Sequence, residues 1–207
     1  MQVLVWPYRG ERALICDGAV RSGKTSVMSL SFLLWAMGAF ENCCFGLCGK
    51  TVRSAERNII RPLLAVRYLQ DQFSIRYNRS GNVLTVQRGA RRNDFYIFGG
   101  RDESSYMLIQ GVTLAGVLLD EVALMPRSFV EQALARCSVA GAKLWFNCNP
   151  DVPAHWFRQE WILKAQAKNA THLHFTMDDN PGLSEETRAM YRSLYAGVFK
   201  RRWLIYP

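Results

Sequence analysis

Gly18-Ala19-Val20-Arg21-Ser22-Gly23-Lys24-Thr25 follows the apolar run Ala13–Cys16 and precedes the helix-like stretch Ser26–Phe40. It satisfies the pattern G-x-x-x-x-G-K-[ST] at every fixed position. A strand that ends in a glycine loop and opens a helix lets consecutive backbone N–H groups point into one concavity. A polyphosphate sits there at the positive end of the helix dipole. In such a loop Lys24 reaches the β- and γ-phosphates, and the Thr25 hydroxyl holds Mg²⁺. At average residue usage the four fixed positions match by chance in about one chain in a hundred of this length. With the flanking strand and helix in place, Gly18–Ser26 is therefore predicted to bind a nucleoside triphosphate.

The rest of the composition fits a globular protein. The chain has 207 residues, 49% hydrophobic and 21% charged, enough for one sizeable core and unlike a disordered segment. Its net charge of +9 points to a polyanionic partner beyond the nucleotide, most simply nucleic acid. Cys16, Cys43, Cys44, Cys48, Cys137 and Cys148 lie in or beside apolar strand-like runs and match no zinc spacing, so they read as buried free thiols in a reducing cytosol. Met1–Pro7 lacks a basic leader with a long apolar core. Ser26–Phe40 is the most apolar stretch, but it is short and carries Ser29 and Ser31, which suits a buried helix better than a membrane span.

Strand-like and helix-like segments alternate along the chain. Buried strands are expected at Ala13–Cys16, Cys43–Cys48, Asp94–Phe98, Ala115–Leu119 and Ala142–Phe146, with Thr171–Thr176 alternating. Helices are expected at Ser26–Phe40, Thr51–Leu69 (bent or divided at Pro62), Phe129–Cys137, His155–Ala167 and Ser184–Tyr195. Phe73–Tyr77 and Val83–Gln87 flank Asn78–Asn82 as a hairpin. The order predicts a doubly wound α/β domain, residues 1–207, with a mostly parallel sheet, flanking helices and a β-hairpin insertion.

Gly116-Val-Leu-Leu-Asp120-Glu121 supplies the second half of the site. A buried strand ending in Asp places a carboxylate at the carboxyl edge of the sheet, where Asp120 can fix Mg²⁺ with Thr25. The adjacent Glu121 is suited to polarise a water for attack on the γ-phosphate. Hydrolysing motors commonly carry such a carboxylate, which small-molecule kinases do not need. Together the loop and acid pair indicate a P-loop NTPase of the ASCE/RecA-like type. Asn147-Cys-Asn149-Pro150 follows the next strand, where polar side chains can contact the γ-phosphate or attacking water and report hydrolysis.

Taken in order, these segments resemble the ATPase domain of the large terminase subunit of tailed bacteriophages, particularly its PBSX-like branch. The likeness is carried by Gly18–Thr25 with its internal Arg21, Cys48-Gly-Lys50-Thr51, Phe98-Gly-Gly-Arg-Asp102, Ile109-Gln-Gly111, Leu118-Leu-Asp-Glu121 with Met125-Pro126, Ala135-Arg-Cys-Ser138, and Asn147–Asp151 followed by His155-Trp156-Phe157. The resemblance implies a motor in the bacterial cytoplasm that hydrolyses Mg·ATP to drive double-stranded DNA into a procapsid. It implies a homo-oligomeric ring on the portal, working with the small terminase subunit and no membrane. Lys24, Glu121 and Arg21 would be catalytic, Arg21 as an in-cis γ-phosphate sensor, and Asn147, Asn149 and Pro150 would form the coupling motif. An arginine finger often comes from a neighbouring subunit; Arg101 and Arg136 are the candidates.

Two departures temper the resemblance. The family carries a second, nuclease domain, and this sequence stops at Arg201–Pro207 where it would begin. Asp178-Asp179 precedes Asn180-Pro181-Gly182 and reads as a turn, so DNA cutting is not expected. Upstream of the loop the family has a glutamine that helps read adenine; only Gln2, Trp6, Tyr8 and Arg9 are available here, which points to a weakened adenine pocket. The alternative readings are a nucleotide-binding or assembly module without turnover, and a helicase-like remodelling ATPase.

Overall fold

The computed structural model describes residues 2–149 and 152–194. Its strands are β1 (Ala13–Gly18), β2 (Cys44–Gly49), β3 (Ser74–Asn78), β4 (Val83–Arg88), β5 (Arg91–Gly99), β6 (Gly116–Leu119), β7 (Lys143–Asn147) and β8 (Ala170–Phe175). They form one sheet in the order β3-β4-β5-β2-β6-β7-β1-β8. Every pairing from β5 to β8 is parallel, whereas β3–β4 and β4–β5 are antiparallel. The expected hairpin is thus an extension of the sheet edge, joined to the parallel part through β5. β1 is buried along its whole length, as a parallel strand covered on both faces must be.

The helices are α1 (Gln2–Val5), α2 (Lys24–Ala39), α3 (Val52–Ala55), α4 (Arg61–Leu64), α5 (Arg67–Gln72), α6 (Arg127–Arg136) and α7 (Glu185–Leu194). α2 covers one face of the sheet, where Phe32 and Trp35 pack edge-on against Phe45 and lie beside Trp145. α6 covers the other face, where Phe129 and Val130 join Val117, Leu119 and Phe146. This three-layer arrangement holds the carboxyl ends of β1, β6 and β7 side by side. No helix among the described residues is long and apolar enough to cross a membrane.

Local departures from the expected elements have physical causes. Thr51–Leu69 does not break at Pro62. Instead a π-helical turn, Glu56–Ile60, joins α3 to α4, and the break falls at Ala65–Val66. A proline ring collides with the carbonyl four residues back, here that of Asn58, and the wider π-turn relieves that collision. His155–Ala167 reaches only a second π-helical turn, Arg158–Ile162. There Phe157 and Trp161 lie on Phe146, with ring centroids 5.2 and 4.6 Å away, while Leu163 is exposed, so the apolar stripe ends. An unanticipated 3-10 helix, Glu103–Ile109, is capped by the Asp102 carboxylate, which accepts from the Ser104 N–H at 3.1 Å. All six cysteines are free, with Cys43 and Cys44 only half-buried.

Positive charge is concentrated in one stretch of the chain, which forms the antiparallel edge of the sheet. Ser74–Gly99 holds five arginines against one acid, Asp94, and so nearly half of the net +9. Arg91 caps α2 through the carbonyls of Met37 and Gly38 (2.7 Å each), and Arg79 pairs with Glu56 at 3.3 Å. Arg76 and Arg92 lie on the antiparallel edge of the sheet, lining a small surface cleft with Ser74, Thr85 and Gln87.

Candidate nucleotide-binding and hydrolysis site

The loop between β1 and α2 takes its shape from two glycines with positive φ. Gly18 (φ 117°) passes so close to β8 that a Cβ would lie 2.0 Å from the Phe175 carbonyl oxygen, and Gly23 (φ 83°) starts α2. Any side chain at Gly18 would collide with backbone, so the pattern's first position is sterically enforced. Among the described residues no side chain caps α2, leaving its first-turn N–H groups directed at the cleft. Lys24 is buried, and its ammonium donates to the carbonyls of Gly18 (3.0 Å) and Ala19 (2.6 Å) and to Ser22 Oγ (3.1 Å). Burial lowers its pKa, against the opposing fields of Cys148, Cys16, Asp17 and Asp120.

The expected partners converge on this loop. Thr25 Oγ1 donates to Asp120 Oδ1 at 3.1 Å, and Asn147 Nδ2 donates to both, at 2.8 and 2.5 Å. Asn58 Nδ2, absent from the sequence reading, donates to Asp120 Oδ2 at 3.0 Å. Asp120 is buried, while Glu121 stands exposed at the rim of the cleft in the left-handed region (φ 58°, ψ 46°). Crowding in the cleft and then the Asp120 charge raise the Glu121 pKa, with Arg57 opposing them. A carboxylate so placed is a competent proton acceptor for a water in the cleft.

The donor set suits Mg²⁺. Thr25 and Asp120 offer hard oxygens beside each other, and the buried Asn147 Oδ1 has no hydrogen-bond partner among the described residues. Mg²⁺ takes one or two protein oxygens and keeps water and phosphate for the remainder.

Two cavities meet at Ser22, Gly23 and Ser26. One, of about 420 Å³, is lined by Lys24, Thr25, Glu121, Asn147 and Asn149 and forms the phosphate end. The other, of about 850 Å³, is lined by Gln2, Val27, Leu30, Phe175 and Asn180, with room for a base and sugar. Of the four upstream candidates, Gln2 reaches this cavity; Trp6 is buried against Trp145, and Tyr8 and Arg9 are exposed. Arg21 (φ 59°) lies over the Tyr191 ring at 4.9 Å, and its carbonyl accepts from Asn180 Nδ2 at 2.6 Å, so its guanidinium faces α7 and not Asp120. Pro150 lies outside the described residues.

The two candidate fingers stand at opposite edges of the sheet. Arg101 is exposed just after β5, at the same edge as the loop but four strands along, roughly 19 Å to the side at ordinary strand spacing. Lys50 Nζ donates to its carbonyl at 2.8 Å. Arg136 ends α6, where its carbonyl accepts from the Leu114 N–H (2.9 Å) just ahead of β6. Its guanidinium meets Gln132, whose amide oxygen, turned toward it, accepts at 2.8 and 3.1 Å.

Behind the loop, buried Asp17 Oδ1 lies 2.9 Å from both His172 Nε2 and His174 Nδ1 on β8. Burial alone would raise its pKa, but the two imidazoles outweigh that and lower it. A lowered carboxyl pKa stabilises the fold fully above the unfolded value of about 3.9 and loses that contribution as pH falls through the folded value. Asp17→Ala is therefore expected to cost about 1–3 kcal/mol at neutral pH. Urea unfolding should show this gap narrowing below pH of about 4; equal stability at pH 7 would refute the role.

β7 stands between the loop strand β1 and the acid strand β6. That insertion, with the loop and acid pair at one sheet edge, defines a P-loop domain of the ASCE class. The chain belongs to the family described as terminase large subunit, T4likevirus-type, N-terminal, whose model matches residues 15–202. The large terminase of a thermophilic bacteriophage is 50% identical, with a TM-score of 0.92, covering 99% of this chain and 51% of that one. The same protein in complex with ADP matches at 48% identity and a TM-score of 0.92, covering 98% of this chain and 51% of that one. The chain thus spans about half the length of these relatives. The large terminase ATPase domain of Thermus phage P74-26 shares the fold at 19% identity, with a TM-score of 0.72 and coverage of 99% and 92%. No curated protein matches the chain at a significant level.

Proposed function

We propose that residues 1–207 form a single ATPase domain of the PBSX-like branch, hydrolysing ATP to drive double-stranded DNA into a procapsid. The observation that carries this reading is the convergence of Thr25, Asp120 and Asn147 within hydrogen-bond distance, with Glu121 on the same cleft. The ADP and ATP-gamma-S complexes of the thermophilic phage's large terminase support ATP as the nucleotide.

Backbone N–H groups of α2 and Lys24 bind the phosphates, and Lys24 exchanges its loop carbonyls for them. Thr25 and Asp120 would hold Mg²⁺, which when bound offsets charge on the β- and γ-phosphoryl oxygens. Glu121 orients a water in line with the γ-phosphorus and accepts its proton as the oxygen–phosphorus bond forms and the bond to ADP breaks. Asn147 and Asn149, with Pro150, relay the change to the moving parts. Arg21 serves as the in-cis sensor by leaving Tyr191 when a γ-phosphate arrives. A ring on the portal, loaded with the small subunit in the bacterial cytoplasm, would supply the second arginine. The arginine-rich antiparallel edge offers DNA a phosphate-binding surface, so affinity should fall steeply with salt and ignore sequence.

The test is steady-state ATP hydrolysis over a protein-concentration series, with and without double-stranded DNA. Turnover is expected to rise faster than linearly with protein. Lys24→Ala should weaken nucleotide binding and turnover together. ATP binding without turnover at any concentration would refute the motor reading in favour of a binding module.

A further inference from the structure

Asp120 is held from two sides. Its Oδ1 receives Thr25 from the phosphate loop's helix and Asn147 from the end of β7, both on the phosphate end of the cleft. Its Oδ2 receives Asn58, which comes from neither the loop nor the strands. The amide of Asn58 is itself oriented: Arg57 Nε donates to Asn58 Oδ1 at 3.1 Å, leaving Nδ2 for Asp120. The result is a continuous chain of hydrogen bonds from an exposed guanidinium to a buried carboxylate.

The backbone beneath this chain is specialised. Asn58 lies in the middle of the π-turn Glu56–Ile60, where the Arg61 N–H bonds the Glu56 carbonyl five residues back. Pro62, whose ring would strike the Asn58 carbonyl in an ordinary helix, accounts for that turn. A single extra residue per turn rotates the side chains that follow by a large angle, so the proline and the placement of Asn58 are one feature.

We propose that Asn58, oriented by Arg57, is a positioning residue that fixes Asp120 for divalent-cation binding with the nucleotide. This rests on the nucleotide site proposed above. When Thr25 and Asn147 give up their bonds to Asp120 on loading, Asn58 keeps the carboxylate in place through the other oxygen. Partners of metal-holding carboxylates typically contribute about 10–100-fold in metal affinity or activity.

The test is equilibrium binding of fluorescent ADP to the whole chain, with and without Mg²⁺. Asn58→Ala should leave Mg²⁺-free affinity unchanged and raise the half-saturating Mg²⁺ concentration about tenfold. Alanine is a better helix former than asparagine, so the helix is retained. Arg57→Ala, on the surface, should shift the Mg²⁺ dependence in the same direction by less, and Arg57→Lys should restore it. A wild-type Mg²⁺ dependence in Asn58→Ala would overturn the assignment, as would an equal loss of affinity with and without Mg²⁺. Wild-type protein that binds no nucleotide in either condition would instead refute the nucleotide site itself, and the assignment with it.

Discussion

Glu121→Gln is expected to lower ATP turnover by about 10²–10⁴-fold while nucleotide affinity stays at the wild-type level. Gln keeps the size and hydrogen-bonding capacity of the side chain and removes only its ability to accept a proton. The geometry makes this separation of effects possible. Glu121 lines the phosphate end of the cleft, yet among the described residues no hydrogen bond ties it to Lys24, which is bonded to the loop, or to Thr25 and Asp120, which are bonded to each other. The wild-type pH profile supplies a second reading. Because crowding and the Asp120 charge raise the Glu121 pKa in the nucleotide-free chain, the acidic limb of kcat/KM should lie above the ordinary glutamate value of about 4.3. Turnover is lost as pH falls through that limb, since the protonated carboxyl cannot take the water's proton. Single-turnover hydrolysis and fluorescent ADP binding on the same preparations check the first part, and steady-state kcat/KM across pH checks the second. Unchanged turnover in the variant would remove Glu121 from the base role.

Most of the site is legible in residue order because its chemistry is tied to strand ends. Gly18–Thr25, Asp120, Glu121 and Asn147 each follow an apolar run, and parallel strands bring such ends to one edge without further information. Asn58 is not legible in this way, because periodicity of 3.6 residues cannot reveal a π-turn. The available signal is Pro62 inside an otherwise helical run, four residues after Asn58, which by pattern alone suggests a bend and not a widened turn. The spatial arrangement of the arginine-rich stretch Ser74–Gly99 is likewise not carried by periodicity. Arg76, Arg88 and Arg92 fall in one stretch of residue order, but only antiparallel pairing of β3, β4 and β5 brings them side by side at one end of the sheet. The apolar residues of His155–Ala167 suggest a longer helix than forms, since Leu163 finds no core to enter. The side-chain direction of Arg21 depends on Tyr191, far along the chain at the C-terminal helix, and no local pattern carries that information.

Arg101→Ala is expected to reduce turnover by about 10³-fold or more, the usual loss when an arginine finger is removed. Arg101 is exposed at the edge where the cleft opens, two strands along from β6, whose end carries Asp120 and Glu121, so it stands beside the cleft and accessible to a neighbouring copy. Arg136 lies at the opposite edge with its guanidinium against Gln132, so Arg136→Ala should leave turnover near wild type. A trans role has a consequence that no cis role shares. Arg101→Ala and Glu121→Gln are each inactive alone, yet mixing them creates interfaces where an intact Glu121 meets an intact Arg101 from the adjacent copy. Random assembly of equal amounts around a cyclic ring makes roughly one interface in four of this kind. Turnover in the mixture should therefore recover well above either variant alone, and only at concentrations where wild-type turnover is also superlinear. No recovery on mixing, with both variants folded and binding nucleotide, would exclude Arg101 as the trans finger.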